Sequence, residues 1–91
     1  MNLELAKSLC GHDKDEMYVI QSKDDTYVYL VNGINKTVDK PKKKKQKHIQ
    51  IVKQFPDEVE SLLKEMTTLS NENAKRLIKI YLRSIQCQKQ M

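Results

Sequence analysis

Thr26-Tyr27-Val28-Tyr29-Leu30-Val31-Asn32-Gly33 is the stretch on which the fold turns. Its first six residues are all β-branched, aromatic or Leu, a composition suited to a pleated, half-buried surface. Tyr27 and Tyr29 share one face of such a strand, and Val28 and Leu30 the other. The more apolar Val28/Leu30 face belongs in a core, which leaves the tyrosines partly exposed. Asn32-Gly33 favours a type I′ turn, so the spacing predicts a hairpin that returns as a short strand over residues 34–38.

Outward from that hairpin the pattern stays short and alternating. Met17-Tyr18-Val19-Ile20-Gln21-Ser22 reads as a second strand, separated from the first by an Asp24-Asp25 turn. Leu3, Leu5, Ala6, Leu9 and Cys10 form an earlier apolar stretch, followed by the polar break Gly11-His12-Asp13-Lys14-Asp15. His48-Ile49-Gln50-Ile51-Val52 closes the set. Short strands without an intervening helix predict a small curled barrel of the SH3-like kind over residues 1–54.

From residue 55 the period changes to that of a helix. Pro56 suits a first helical position, and Asp57 and Glu58 complement the dipole of the first turn. Val59, Leu62, Leu63 and Met66 fall on one face; Thr67-Thr68-Leu69 makes a break; Ser70 is an N-cap for a second helix. Ala74, Leu77, Ile78, Tyr81, Leu82 and Ile85 then form one stripe, opposite Lys75, Arg76, Lys79 and Arg83. The expected fold class is therefore α+β: a barrel over 1–54 followed by a helical hairpin over 55–91. The hairpin needs somewhere to dock. The short linker Lys53-Gln54-Phe55 favours docking on the barrel, with Phe55 as a plug between the two, and dimerisation is the alternative.

Composition narrows the function. A chain of 91 residues, 38% hydrophobic and 32% charged, makes a thin core and offers little room for a dry catalytic pocket. No enzyme activity and no cofactor are expected. Cys10, His12, His48 and Cys87 match no zinc-ligand spacing, so no metal is expected either. No stretch is apolar enough to span a membrane, and the start is acidic where a secretory signal would be basic, so the expected location is the cytoplasm.

Charge is concentrated. Residues 1–35 sum to −3, residues 36–53 to +7 and residues 54–91 to +1. The basic segment contains Lys36, Lys40, Lys42, Lys43, Lys44, Lys45, Lys47 and His48. Such a run reads as a solvent-facing loop or strand edge, and Lys on an edge also guards against aggregation. Its density favours a polyanion partner, met through phosphates rather than through base edges, since Arg76 and Arg83 are the only arginines. His48 could stack on a base or be an ordinary strand residue, and Tyr18, Tyr27 and Tyr29 are candidate platforms.

Taken together, Ala6-Lys7-Ser8-Leu9-Cys10-Gly11-His12-Asp13-Lys14, Tyr18-Val19-Ile20, the Asp25 to Gly33 stretch, Val38-Asp39-Lys40-Pro41-Lys42-Lys43-Lys44 and Lys47-His48-Ile49-Gln50 resemble the KOW domain. More narrowly, they resemble small bacterial KOW proteins related to large-subunit ribosomal proteins of archaea and eukaryotes. The resemblance covers about residues 3–52 and implies an SH3-like barrel that binds RNA, commonly ribosomal RNA, without catalysis. Gly11 matches the motif's central glycine, and His12, Asp13 and Lys14 its exposed loop. Asp15 stands where the family usually has a second glycine; Asp tolerates left-handed φ better than most residues, although a carboxylate there repels phosphate. RNA binding is thus the expected function. A protein-interaction adaptor working through the helices is the alternative, and a membrane-surface module is disfavoured for want of an adjoining amphipathic helix or lipidation signal.

Overall fold

The strand read at Tyr27–Val31 is the third of five in one curled antiparallel sheet, in a computed structural model that describes residues 3–66 and 68–89, with side chains as far as Ser84. Thr67 of the expected break, and the side chains of Ile85 and Cys87, lie outside the described residues. The strands are β1 (Glu4–Ser8), β2 (Met17–Lys23), β3 (Tyr27–Val31), β4 (Lys42–Lys45) and β5 (Ile49–Ile51), in the order β4-β3-β2-β1-β5. A 3-10 turn at Gln46–His48 is all that separates β4 from β5. Two helices follow, α1 (Asp57–Glu65) and α2 (Asn71–Lys89). The protein is α+β.

The sheet has a core on each side. Leu5, Met17, Val19 and Val31 face the helices and pack with Val59, Leu62, Met66, Ala74 and Leu77. Ala6, Tyr18, Ile20, Val28, Leu30 and Ile49 face the concave side and fill the curl. The central strand β2 is therefore buried on both faces from Met17 to Ile20, which explains its unbroken apolar run. Val28 and Leu30 are buried and Tyr27 and Tyr29 only partly so, as the alternation requires.

Residues 34–38, expected as the partner of β3, form no strand. The Asn32 side-chain oxygen accepts the backbone N–H of Ile34 at 2.9 Å, Asn35 at 3.2 Å and Lys36 at 3.0 Å. The Lys36 carbonyl in turn accepts the N–H of Asn32 at 2.8 Å and Gly33 at 3.1 Å. Local bonds thus occupy the amides that a ladder would need. The turn is not type I′, which requires positive φ at both central residues: Gly33 lies at +79° and Asn32 is not in that region. The partner of β3 is instead the lysine run, with Tyr27 opposite Lys45, Val28 opposite Lys44, Tyr29 opposite Lys43 and Leu30 opposite Lys42.

The hairpin docks on the sheet of its own chain. Ser70 caps α2 by accepting the Asn73 N–H at 3.1 Å, while Pro56 stands just before α1 rather than inside it. Phe55 packs against the shared core and meets Tyr81 edge-on, with ring centroids 6.2 Å apart. Ile78, Ile80 and Tyr81 pack against this core, whereas Leu82 drops out of the expected stripe and is 38% exposed. Among the described residues no helix is long and apolar enough to cross a membrane.

The loop between β3 and β4 is tied to the start of α2. The Asn71 side-chain oxygen accepts the Val38 N–H at 2.9 Å, and the Val38 carbonyl accepts Gln21 Nε2 at 2.8 Å. Gly33 lies directly on the Asn71 backbone, where a Cβ would overlap the carbonyl oxygen. Gly33→Ala should therefore combine left-handed strain with a steric clash and cost about 2 kcal/mol or more, lowering the melting temperature by roughly 8 °C or more. Gly11→Ala, at φ +90° but with no atom closer than 3.4 Å to the new Cβ, should cost less. Thermal melts of the two variants by circular dichroism check the ranking.

Candidate nucleic-acid interface

A strand of four consecutive lysines repels itself unless something cancels the charge on the side facing the core. Strand alternation sends Lys42 and Lys44 to the concave side with Leu30 and Val28, and Lys43 and Lys45 to the opposite side with Tyr29 and Tyr27. On the concave side Asp13 does the cancelling. Its carboxylate takes Lys44 Nζ at 2.6 Å and Lys42 Nζ at 2.9 Å, and it accepts hydrogen bonds from Tyr18 Oη at 2.9 Å and Ser8 Oγ at 3.0 Å.

Lys44 is almost fully covered, and its ammonium has three N–H groups. They go to Asp13, to Ser8 Oγ at 2.8 Å and to the Cys10 carbonyl at 2.8 Å. The donor set is complete. Lys44, and to a lesser extent Lys42, is thereby engaged inside the protein.

The loop that delivers Asp13 bends at two left-handed residues, Gly11 and Asp15 with φ of +90° and +73°. Backbone bonds from Lys14 N to Gly11 O at 3.2 Å, Asp15 N to Ser8 O at 2.9 Å and Glu16 N to Asp13 O at 2.9 Å close it. His12 and Lys14 flank Asp13 and are exposed, but so are Asp15 and Glu16, and Asp15 pairs with Lys7 at 3.4 Å. The loop carries no net positive surface.

Burial by itself would push the Asp13 carboxyl up; the hydrogen bonds from Lys44, Lys42, Tyr18 and Ser8 outweigh it and hold the group well below the usual carboxylate range. Tyr18 moves the other way, raised by burial, by its hydrogen bond to Asp13 and by the charges of Asp13 and Glu16. Tyr18, one of the three candidate stacking platforms, is buried and bonded to Asp13 instead.

The outward side is differently furnished. Lys40, Lys43, Lys45 and Lys47 are exposed, and among the described residues none of them pairs with a carboxylate within 4.0 Å. Lys36 and His48 are half-buried, the latter closing the 3-10 turn with its carbonyl on the Leu9 N–H at 2.9 Å. Lys43 Nζ stands 4.2 Å from the centre of the Tyr27 ring, a cation–π contact worth about 0.5–1 kcal/mol at an exposed position. Asp24 sets Tyr27 in place by accepting its N–H at 2.7 Å and that of Thr26 at 2.9 Å. Those two bonds, with Lys43 nearby, hold Asp24 below its ordinary value against slight desolvation.

Among the described residues, no three His, Cys, Asp or Glu side chains gather as ligands for a metal ion. In the sequence the lysines of the run are equivalent and Asp13 is one loop residue among others. The signal that separates them is register with β3, which depends on tertiary pairing. In comparisons with known proteins, no family model matches the chain and no curated protein matches it.

Asp13→Asn removes the only carboxylate that pairs with Lys44 among the described residues and should cost roughly 2–3 kcal/mol at neutral pH. The Asp13 carboxyl is lowered on folding, so its contribution is complete above its ordinary value of 3.8 and is lost as pH falls below it. Urea denaturation at a series of pH values should show the gap between parent and variant constant above about pH 3.8 and shrinking progressively below it, because the folded carboxyl stays ionised well below that value. Lys44→Gln should also destabilise, whereas Lys45→Gln should stay within about 0.5 kcal/mol of the parent.

Proposed function

We propose that this chain is a non-catalytic RNA-binding protein built on an SH3-like barrel of the KOW type, acting in the cytoplasm on ribosomal or other structured RNA. The observation that carries the reading is the outward lysine row: Lys43, Lys45 and Lys47, with Lys40 before them, exposed along one edge without carboxylate partners among the described residues. Lys is a point charge suited to phosphates, so this row supplies affinity and orientation with little sequence preference.

Two features support the KOW-type barrel. The edges of the curled sheet, β4 and β5, follow one another in the chain through a single 3-10 turn, the connection that brings a sheet toward closure. Gly11 and Asp15 both adopt left-handed φ, at the central glycine of the resembled motif and at the position where that motif usually has a second glycine. The alternative of an adaptor working through its helices draws less support, because Val59, Leu62, Met66, Ala74 and Leu77 of the hairpin are already buried against the sheet of the same chain.

Fluorescence anisotropy with a structured RNA, titrated across salt, tests the reading. Four phosphates neutralised by the outward row give a log–log slope of about −3. Lys43→Gln, Lys45→Gln and Lys47→Gln together should flatten the slope by roughly 2 and weaken binding while leaving the melting temperature close to that of the parent. A parent slope near zero, or a triple variant that binds like the parent, overturns the proposal.

A further inference from the structure

The two half-buried tyrosines of β3 belong to neither apolar cluster, although they share a sheet face with Val31, which packs beneath the helices. That face is thus covered by helix at one end of β3 and lined by tyrosine at the other. On the β4 side the cross-strand neighbours of the rings are both cations, Lys45 opposite Tyr27 and Lys43 opposite Tyr29, while on the β2 side Tyr29 lies opposite the small Ser22. Ring and charge therefore alternate over a small patch, with Lys43 Nζ resting on the face of the Tyr27 ring.

We propose that Tyr27, Tyr29, Lys43 and Lys45 form a stacking platform for single-stranded RNA, an inference that rests on the RNA-binding reading above. Residues two apart on a strand are separated by about 6.7 Å. Bases stacked in a helix are about 3.4 Å apart along one strand. Two tyrosines at strand spacing can each take a neighbouring base only when the bases have been drawn apart, a state open to a single strand and closed to a duplex. The lysine beside each ring then meets the phosphate between bases, and Lys43 exchanges the ring for that phosphate while the base takes the ring face. On a duplex the same lysines still find phosphates, but the bases are hidden and the rings contribute nothing. The geometry of the patch therefore separates two nucleic-acid forms that charge alone treats alike.

The test uses the full chain with a polyuridine oligomer and with an RNA duplex of the same strand length. Tyr27→Leu with Tyr29→Leu should weaken binding of the single strand about tenfold, leave duplex affinity within about twofold, and keep the salt slope unchanged. In the unmodified chain, tyrosine emission should be quenched by polyuridine and not by the duplex; Tyr18 is buried and Tyr81 packs on the core, so the change reports on Tyr27 and Tyr29. This quenching decides the case even if the double variant does not fold. Absence of quenching on a bound single strand, or equal loss of both ligands by a folded double variant, overturns the platform and leaves the RNA reading standing. Failure of the parent to bind either form overturns both.

Discussion

One carboxylate makes the lysine strand possible. Four adjacent lysines with Leu30 and Val28 across from two of them would bring two ammonium groups to the edge of the concave core. Asp13, held by a loop that turns back at Gly11 and Asp15, meets both ammoniums at hydrogen-bond distance. Ser8 and Tyr18 occupy further lone pairs of the same carboxylate, so the group is satisfied where it is largely shielded from water. Without it, this register of β4 on β3 would leave two ammonium groups at the edge of the core with no countercharge.

From that pairing the division of the surface follows. Period-two alternation cannot turn two lysines inward without turning their neighbours outward, so the contact that anchors β4 also sets the direction of Lys43 and Lys45. The anchoring and displaying lysines are adjacent in the chain, yet Lys42 and Lys44 meet a carboxylate and Lys43 and Lys45 meet tyrosine and solvent. A positive net charge of +5 for the whole chain conceals this partition.

Much of the architecture was legible from local pattern. The density of β-branched and aromatic residues marked β2 and β3, the apolar stripe and Ser70 marked α2, and the Val28/Leu30 face was read correctly as core. The partner of β3 was not legible. Ile34 and Val38 after Asn-Gly look more like a returning strand than a lysine run does, yet Ile34 is 71% exposed and the loop's amides are bonded to Asn32. The lysine run carries no apolar periodicity, and its compensation lies 31 residues away in sequence. A contact of that kind exists only once the chain has folded. For the same reason the candidate site was read as a charged segment, while its split into inward and outward halves was invisible.

The first turn of α2 also has a mechanical role. Asn71 grips the Val38 amide with its side chain and backs onto Gly33 with its carbonyl, so the loop leading into β4 is buckled to the helix at two points. Gln21, at the irregular step of β2 between Ile20 and Ser22, holds the same loop from the sheet side. A shift of the first turn of α2 would therefore pull on the loop that leads into the basic edge before it reached the sheet. The start of α2 thus holds the approach to the lysine strand, at a distance from the strand itself.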